Sequence, residues 1–84
     1  MQVHVFDTHV TTLAKQYVHF DVLVDDKNRE KVKEYAKVYL DSLGINVESI
    51  SQSRCDFCHS EMANPEVIAS IEQHGFCIIP LKIA

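Results

Sequence analysis

An alternating run of eight residues restricts the fold more than any other feature of this sequence. One set of alternate positions is large and apolar throughout, whereas the other set is mostly polar. The apolar set is Val18, Phe20, Val22 and Val24. Because successive side chains of a strand point to opposite faces, the run predicts a strand with one buried face. A single strand cannot bury that face alone, so the rest of the 84-residue chain must supply a sheet and a covering layer.

Three further segments are predicted to be strands of that sheet. A short alternation predicts a first strand over residues 1–6, joined to the strongly alternating one by a turn-prone connection over 7–16. A third strand over 48–54 has little apolar content and is expected to be short or peripheral. The last strand, over 76–83, contains Pro80, which cannot donate to a sheet ladder and therefore requires an edge.

Two segments are predicted to be helices. Apolar residues at helical spacing indicate a helix over 27–43, with Gly44 placed to end it in a left-handed conformation. A second helix begins where Asn64 can cap the first turn and Pro65 can occupy the first helical position. Gly75 ends it. Both helices carry an apolar stripe that must be buried against the sheet.

The order of elements is therefore β-β-α-β-α-β, within one domain over residues 1–84. Packing both helices on one face of the sheet is the simplest way to bury both stripes. We therefore predict an α+β fold of two layers, with a mixed four-stranded sheet and two helices on one face. An exposed edge strand can pair with a second copy of the chain, so a homodimer through an edge strand is one expectation.

The charge pattern argues against nucleic acid as a partner. Twelve acidic residues oppose eight basic ones, and the formal net charge is −4. Five of the basic residues cluster over 27–37, but acidic residues alternate with them, as in a solvated helix face. No apolar run approaches the ~20 residues of a membrane helix, and no signal peptide is visible. We therefore expect a cytosolic protein that does not bind membranes or nucleic acid.

A dense group of reactive side chains over residues 54–61 offers the clearest chemistry. Cys55 and Cys58 have the spacing with which two thiolates bind one zinc ion. His74 and Cys77, which have similar spacing, could complete a tetrahedral site. The alternative third and fourth ligands are His59, His9 and Glu61. The sequence therefore predicts a small zinc-binding module, with the identity of the other two ligands open.

Three other interpretations of the same cysteines remain open. Cys55 and Cys58 could cycle between dithiol and disulfide as an oxidoreductase or redox sensor, although neighbouring acidic residues oppose thiolate formation. The Cys-x-x-Cys-His pattern ending at His59 also matches covalent haem attachment, which requires export. Finally, both thiols could be inert parts of a plain interaction domain, since cysteine is among the most buried residue types. Whether the protein is an enzyme is left open.

Histidines and aspartates also lie on the predicted hairpin. If the register brings them opposite one another, His4, His19 and Asp21 form a cross-strand cluster, and Asp7 and His9 could reach the same end of the sheet. A carboxylate beside an imidazole fixes the tautomer for metal binding or proton transfer. The competing interpretation is an ordinary polar sheet face exposed to solvent.

Three segments in order resemble a family of small bacterial proteins catalogued as a domain of unknown function. They are Val-His-Val-Phe-Asp-Thr-His-Val over 3–10, His-Phe-Asp-Val-Leu-Val over 19–24, and Cys-x-Phe-Cys-His-x-Glu over 55–61. The resemblance spans the whole chain and implies a compact α/β domain that stands alone, without an assigned activity. The family motif includes Cys55, Cys58, His59 and Glu61 but not His74 or Cys77. It therefore favours His59 or the histidine-rich hairpin as the further metal ligands.

Overall fold

The computed structural model describes residues 2–54 and 64–83. Its elements alternate between strands and helices in the expected order, and the α+β class is confirmed. They are β1 (His4–Thr12), β2 (Tyr17–Val24), a 3-10 segment (Asp26–Lys31), α1 (Val32–Ser42), β3 (Val47–Arg54), α2 (Pro65–His74) and β4 (Phe76–Ile83). Within the described residues, no helix has the length and apolar character that crossing a bilayer requires.

The sheet has the strand order β3-β1-β2-β4. All three pairings are antiparallel, so the expected mixed sheet is wrong. β2 and β3, which α1 connects, do run in the same direction, but β1 lies between them and pairs with both. The edge strands are β3 and β4, and the predicted edge position of Pro80 is confirmed. Pairing of a second copy along either edge stays a prediction.

The two helices pack on opposite faces of the sheet, so the expected two-layer arrangement with both helices on one face is wrong. Ala36 and Leu40 of α1 pack in one core with the apolar residues at alternate positions of β2, which include Phe20. Val67 and Ile71 of α2 share a second core, formed with Val3, Val5 and Leu23. The physical reason is that β1 and β2 present apolar side chains on both faces. A helix on one face alone would leave the other apolar patch in water.

β1 is longer than its sequence suggested, because residues 7–12 extend the strand instead of forming a long connection. Asp7 is disfavoured in strands, but Thr8, Val10, Thr11 and Thr12 favour them, and β1 is an inner strand that pairs with β2 and β3 along this stretch. Ladder hydrogen bonds on both sides hold the whole stretch in the strand. Thr8 and Thr12 are buried, and Gln52 of β3 donates to the Thr8 hydroxyl at 3.1 Å. The true connection is a tight turn in which Lys15 has a left-handed φ of 63°.

The helices follow their sequence signals closely. Asn64 caps α2 by accepting from the backbone N–H of Glu66 at 2.8 Å, and Gly75 ends the helix at a φ of 88°. The first helix differs only in its opening turns, which are a 3-10 segment capped by Asp25 and not part of α1. Because α2 begins and ends as predicted, the local sequence of α2 sets how long the helix is, and therefore how much of the sheet it can cover.

Candidate metal centre

α2 covers only one end of its sheet face. Under the helix that face is apolar, with Val3, Val5 and Leu23 fully buried. Toward the β1–β2 turn the same alternation continues with polar side chains, and His9 of β1 lies directly opposite His19 of β2. The face therefore changes, along the same two strands, from an apolar half that α2 covers to a polar half that α2 does not cover.

Three side chains converge in that polar half: Asp7, His9 and His19, called the Asp–His cluster below. The Nε2–H of His9 donates to Asp7 Oδ2 at 2.8 Å, and the Nε2–H of His19 donates to Asp7 Oδ1. One potential ligand atom from each residue lies within 4.8 Å of the others. Among residues 2–54 and 64–83, no other set of three histidine, cysteine or acidic side chains is grouped so closely.

Ring stacking and a second hydrogen bond hold the two imidazoles in place. The His9 and His19 rings stack with centroids 4.1 Å apart and an interplanar angle of 14°. Nδ1 of His9 is hydrogen-bonded to the Tyr17 hydroxyl. An ionised carboxylate only accepts, so both Nε2 atoms carry hydrogen, and a neutral His9 accepts the Tyr17 proton at Nδ1. A hydroxyl can also accept, so Tyr17 stays a partner if the tautomer of His9 reverses.

The cluster is accessible and electrostatically favours a charged carboxylate. The exposed side-chain fractions are 32% for Asp7, 40% for His9 and 25% for His19. Partial burial of Asp7 opposes its ionisation, but hydrogen bonds and positive charge from His19 and His9 outweigh it and lower the pKa of Asp7. Asp7 is therefore ionised over the whole physiological range and is available as an anionic ligand.

The lowered pKa of Asp7 predicts a specific loss of acid stability. A carboxyl whose folded-state pKa is depressed stabilises the fold above its unfolded pKa of about 3.9, and this contribution disappears as pH falls through the lower folded-state value. Asp7→Asn is therefore expected to reduce the free energy of unfolding by at least about 1 kcal/mol near neutrality, because the one amide oxygen can accept from only one of the two imidazole N–H groups and does so without charge. The difference from wild type should shrink as the pH falls below the unfolded pKa of about 3.9. Urea unfolding at neutral and at acid pH measures it.

Asp41→Asn is the matched control for this prediction, since Asp41 is an exposed aspartate of α1. We expect that replacement to leave the free energy of unfolding within about 0.5 kcal/mol of wild type at both pH values. If Asp7→Asn has no larger effect than Asp41→Asn near neutrality, the Asp–His cluster does not stabilise the ionised carboxylate.

The structure places the predicted metal ligands in different surroundings. His9 belongs to the Asp–His cluster. His74 is exposed in the last turn of α2, and Cys77 packs at the edge of the core beneath that helix. Burial raises the pKa of the Cys77 thiol, with a smaller opposing effect of Ser70, so a thiolate is disfavoured there. The predicted ligands Cys55, Cys58 and His59 lie outside the described residues.

The cross-strand cluster of His4, His19 and Asp21 does not form. His4 lies opposite Val24 and on the α1 face, where its Nε2 is 2.5 Å from Asp26 Oδ1. His19 and Asp21 lie on the α2 face. The expectation that the polar positions of the two strands share one face was wrong, because the hairpin register puts Val3 and Val5, and not His4, on the face of His19. His9 lies directly opposite His19, and the length of the turn determines this register.

Asp7 and His19 were considered as part of a polar hairpin cluster but were not assigned as metal ligands, although a stronger signal for them exists. Asp7 and His9 are two positions apart in a strand and therefore share a face. A histidine of the adjacent strand then completes a set of two imidazoles and one carboxylate. The signal was missed because residues 7–12 were expected to be a connection and not a strand.

Comparisons with known proteins agree with this fold along the whole chain. A family model described as a domain of unknown function (DUF2024) matches residues 1–81. The chain is also similar to protein NE1680 from Nitrosomonas europaea, whose structure was determined by NMR, with 38% sequence identity and a TM-score of 0.70. That match covers 98% of this chain and 96% of that chain. No curated protein matches the sequence.

Proposed function

Since the chain belongs to the family described as a domain of unknown function (DUF2024), we propose its function from its geometry: it binds a divalent transition metal, zinc in the first instance, through the Asp–His cluster. The observation that supports this most directly is the convergence of Asp7, His9 and His19 within 4.8 Å. Two imidazoles and one carboxylate are a ligand set that zinc and ferrous iron accept.

The surroundings of the cluster also suit a metal. Ligating histidines in proteins usually hydrogen-bond through the other ring nitrogen, which fixes the ring and its tautomer. Tyr17 provides that contact to Nδ1 of His9. Stacking of His9 on His19 restricts both rings further, so little side-chain entropy remains to be lost when a metal binds. The strands that carry the ligands are rigid elements of the sheet, which favours a fixed geometry.

Metal binding at this cluster has a definite proton balance. In the metal-free cluster both Nε2–H groups donate to Asp7, so a neutral imidazole must carry its proton on Nδ1 before its Nε2 can coordinate a metal, and this change of tautomer releases no proton. In His9 the Nδ1–H would then donate to the Tyr17 hydroxyl. An imidazolium must release one proton to coordinate, so acid competes with the metal and affinity is expected to rise with pH.

Isothermal titration of the untagged full-length chain with zinc tests the proposal. We expect one zinc ion per chain, and the same affinity for the double variant Cys55→Ser, Cys58→Ser. Bound cobalt should show visible absorption without the near-ultraviolet band of a cobalt–thiolate bond. Zinc binding that disappears in the double variant would contradict the proposal and favour the thiolate site predicted from the sequence. Absence of zinc binding in the wild type would contradict both.

Several sequence-based expectations continue as predictions beside this proposal. They concern the zinc ligands Cys55, Cys58, His59, His74 and Cys77, the redox alternative, the cytosolic location and the absence of nucleic-acid binding. The zinc titration of the variant Cys55→Ser, Cys58→Ser distinguishes a cysteine-based zinc site from a site at the Asp–His cluster. The redox alternative requires the rate of thiol alkylation against pH, since a reactive thiolate has a depressed pKa.

A further inference from the structure

We propose that the edge strand β3 pairs antiparallel with β3 of a second copy of the chain, with the two-fold axis at Ser51. The inference does not depend on the proposed metal binding. It narrows the expected homodimer to one edge of the sheet and one register. Three features support it: the regular outer edge of β3, the features of β4 that disfavour pairing there, and the self-complementary side chains of β3.

β3 presents a regular edge to solvent. Its ladder with β1 runs without a register shift from Ser49, opposite Thr11, to Arg54, opposite Phe6. In the described sheet no strand pairs with the other side of β3. A strand that is paired on one side only leaves a row of backbone N–H and C=O groups on its outer side, which is a template for a further strand. This stretch contains no proline, so every residue in it has an N–H to donate.

β4, the other edge strand, is poorly suited to the same pairing. Pro80 in its middle has no N–H to offer an incoming strand. The register with β2 shifts next to this proline, between His19 and Phe20, and such a bulge bends an edge strand away from a partner. Lys82 adds a charge beyond the shift. Proline, bulges and lysine are devices with which proteins keep an edge unpaired, so β3 is the edge that favours a partner.

The side chains in the middle of β3 are compatible with a second copy of themselves. Between Ser49 and Ser53 the strand carries no charged residue. The serines at alternate positions are exposed, and Ser51 lies opposite His9, on the half of the face that α2 does not cover. With the axis at Ser51, this residue meets its own copy and Ser49 meets Ser53. Such cross-strand hydroxyl pairs can form hydrogen bonds, and none of them brings like charges together.

The charges at the two ends of β3 select a second copy as the partner. Glu48 lies near the start of the strand and Arg54 at its end. Antiparallel pairing therefore places the Glu48 end of each copy beside the Arg54 end of the other, and this favourable contact occurs twice in the dimer. Within its own chain Glu48 forms an ion pair with Lys15. Both of these side chains are exposed, so that pair contributes little and competes weakly with the contact to a second copy.

Sedimentation velocity of the untagged full-length chain tests the inference. Pairing of two short strands is a small interface, so we expect a weak dimer that is half associated at about 0.1 mM. Ser51→Lys should weaken association at least about 10-fold, because two lysines then lie directly opposite each other at the axis. Leu81→Lys is the matched control, since it places the same charge at an exposed position of β4, and it should leave association unchanged. Far-ultraviolet circular dichroism measures the fold of each variant.

Charge reversal tests the antiparallel arrangement independently of Ser51. Glu48→Arg and Arg54→Glu each bring like charges together and should weaken association about 5-fold, whereas the double variant restores opposite charges and should associate like wild type. A wild type that stays monomeric up to about 1 mM overturns the inference. A dimer that Leu81→Lys disrupts and Ser51→Lys does not would belong to β4 and also overturns it. A double variant that associates no better than the single variants rules out the antiparallel β3 pairing.

Discussion

Replacing His19 by alanine is expected to lower zinc affinity by about 100-fold or more while the fold persists. Loss of a residue that merely orients a metal ligand typically costs 10–100-fold in affinity, and His19 is itself a proposed ligand. The variant also deprives Asp7 of one hydrogen-bond donor and His9 of its stacking partner. Competition with a chromophoric chelator measures the affinity, and far-ultraviolet circular dichroism measures the fold.

The fold should survive because His19 belongs to the half of its sheet face that α2 does not cover. Its side chain is 25% exposed and belongs to neither hydrophobic core. We expect the free energy of unfolding to change by no more than about 1 kcal/mol, the typical effect of a point substitution. A loss of zinc binding in His19→Ala can therefore be attributed to the missing ligand and not to unfolding.

His74→Ala is the control that distinguishes the two predicted ligand sets. His74 is an exposed histidine of α2 and was a predicted zinc ligand together with Cys77. If the Asp–His cluster binds the metal, His74→Ala should keep wild-type affinity. The opposite result, with His19→Ala unaffected and His74→Ala impaired, would move the metal site to the cysteine-based set.

Phe20→Ala is expected to destabilise the protein by about 3–5 kcal/mol, the largest effect on stability that the structure suggests. Phe20 is fully buried on the α1 face of the inner strand β2. Its ring meets that of Tyr39 edge to face, with centroids 4.9 Å apart. The loss combines the transfer free energy of the ring with the cost of the cavity, and proteins of this size have a total stability of only about 5–10 kcal/mol.

Thermal and urea unfolding measure this effect, with two variants for comparison. Phe20→Leu keeps most of the buried volume and should cost less than about 1.5 kcal/mol, the usual limit for swaps that conserve volume. Leu13→Ala removes a side chain that is 62% exposed in the hairpin turn and should change stability by less than about 0.5 kcal/mol. A loss below about 1 kcal/mol for Phe20→Ala would mean that this core is not well packed.

His19 and Phe20 are consecutive in the chain but act on different properties. Their side chains point to opposite faces of β2, so one belongs to the candidate metal site and the other to the α1 core. The comparison of the two variants therefore tests whether the two faces of β2 have separate roles.

The sequence determined those features that depend on local patterns. β2 follows from its alternation, and α2 follows from the cap at Asn64 and the stop at Gly75. The edge position of β4 follows from the missing donor of Pro80. Each of these signals acts within a few residues, through side-chain parity, backbone capping or a lost hydrogen bond, and none requires knowledge of a distant partner.

Only the tertiary structure decided how far β1 extends, on which face of the sheet each helix packs, and which residues form the Asp–His cluster. Residues 7–12 are strand because β2 and β3 pair with them from both sides, and this pairing cannot be seen in the local sequence. The hairpin register places His9 and not His4 opposite His19. These outcomes depend on contacts between residues far apart in the chain, and the free energy of such contacts exists only once the sheet has assembled.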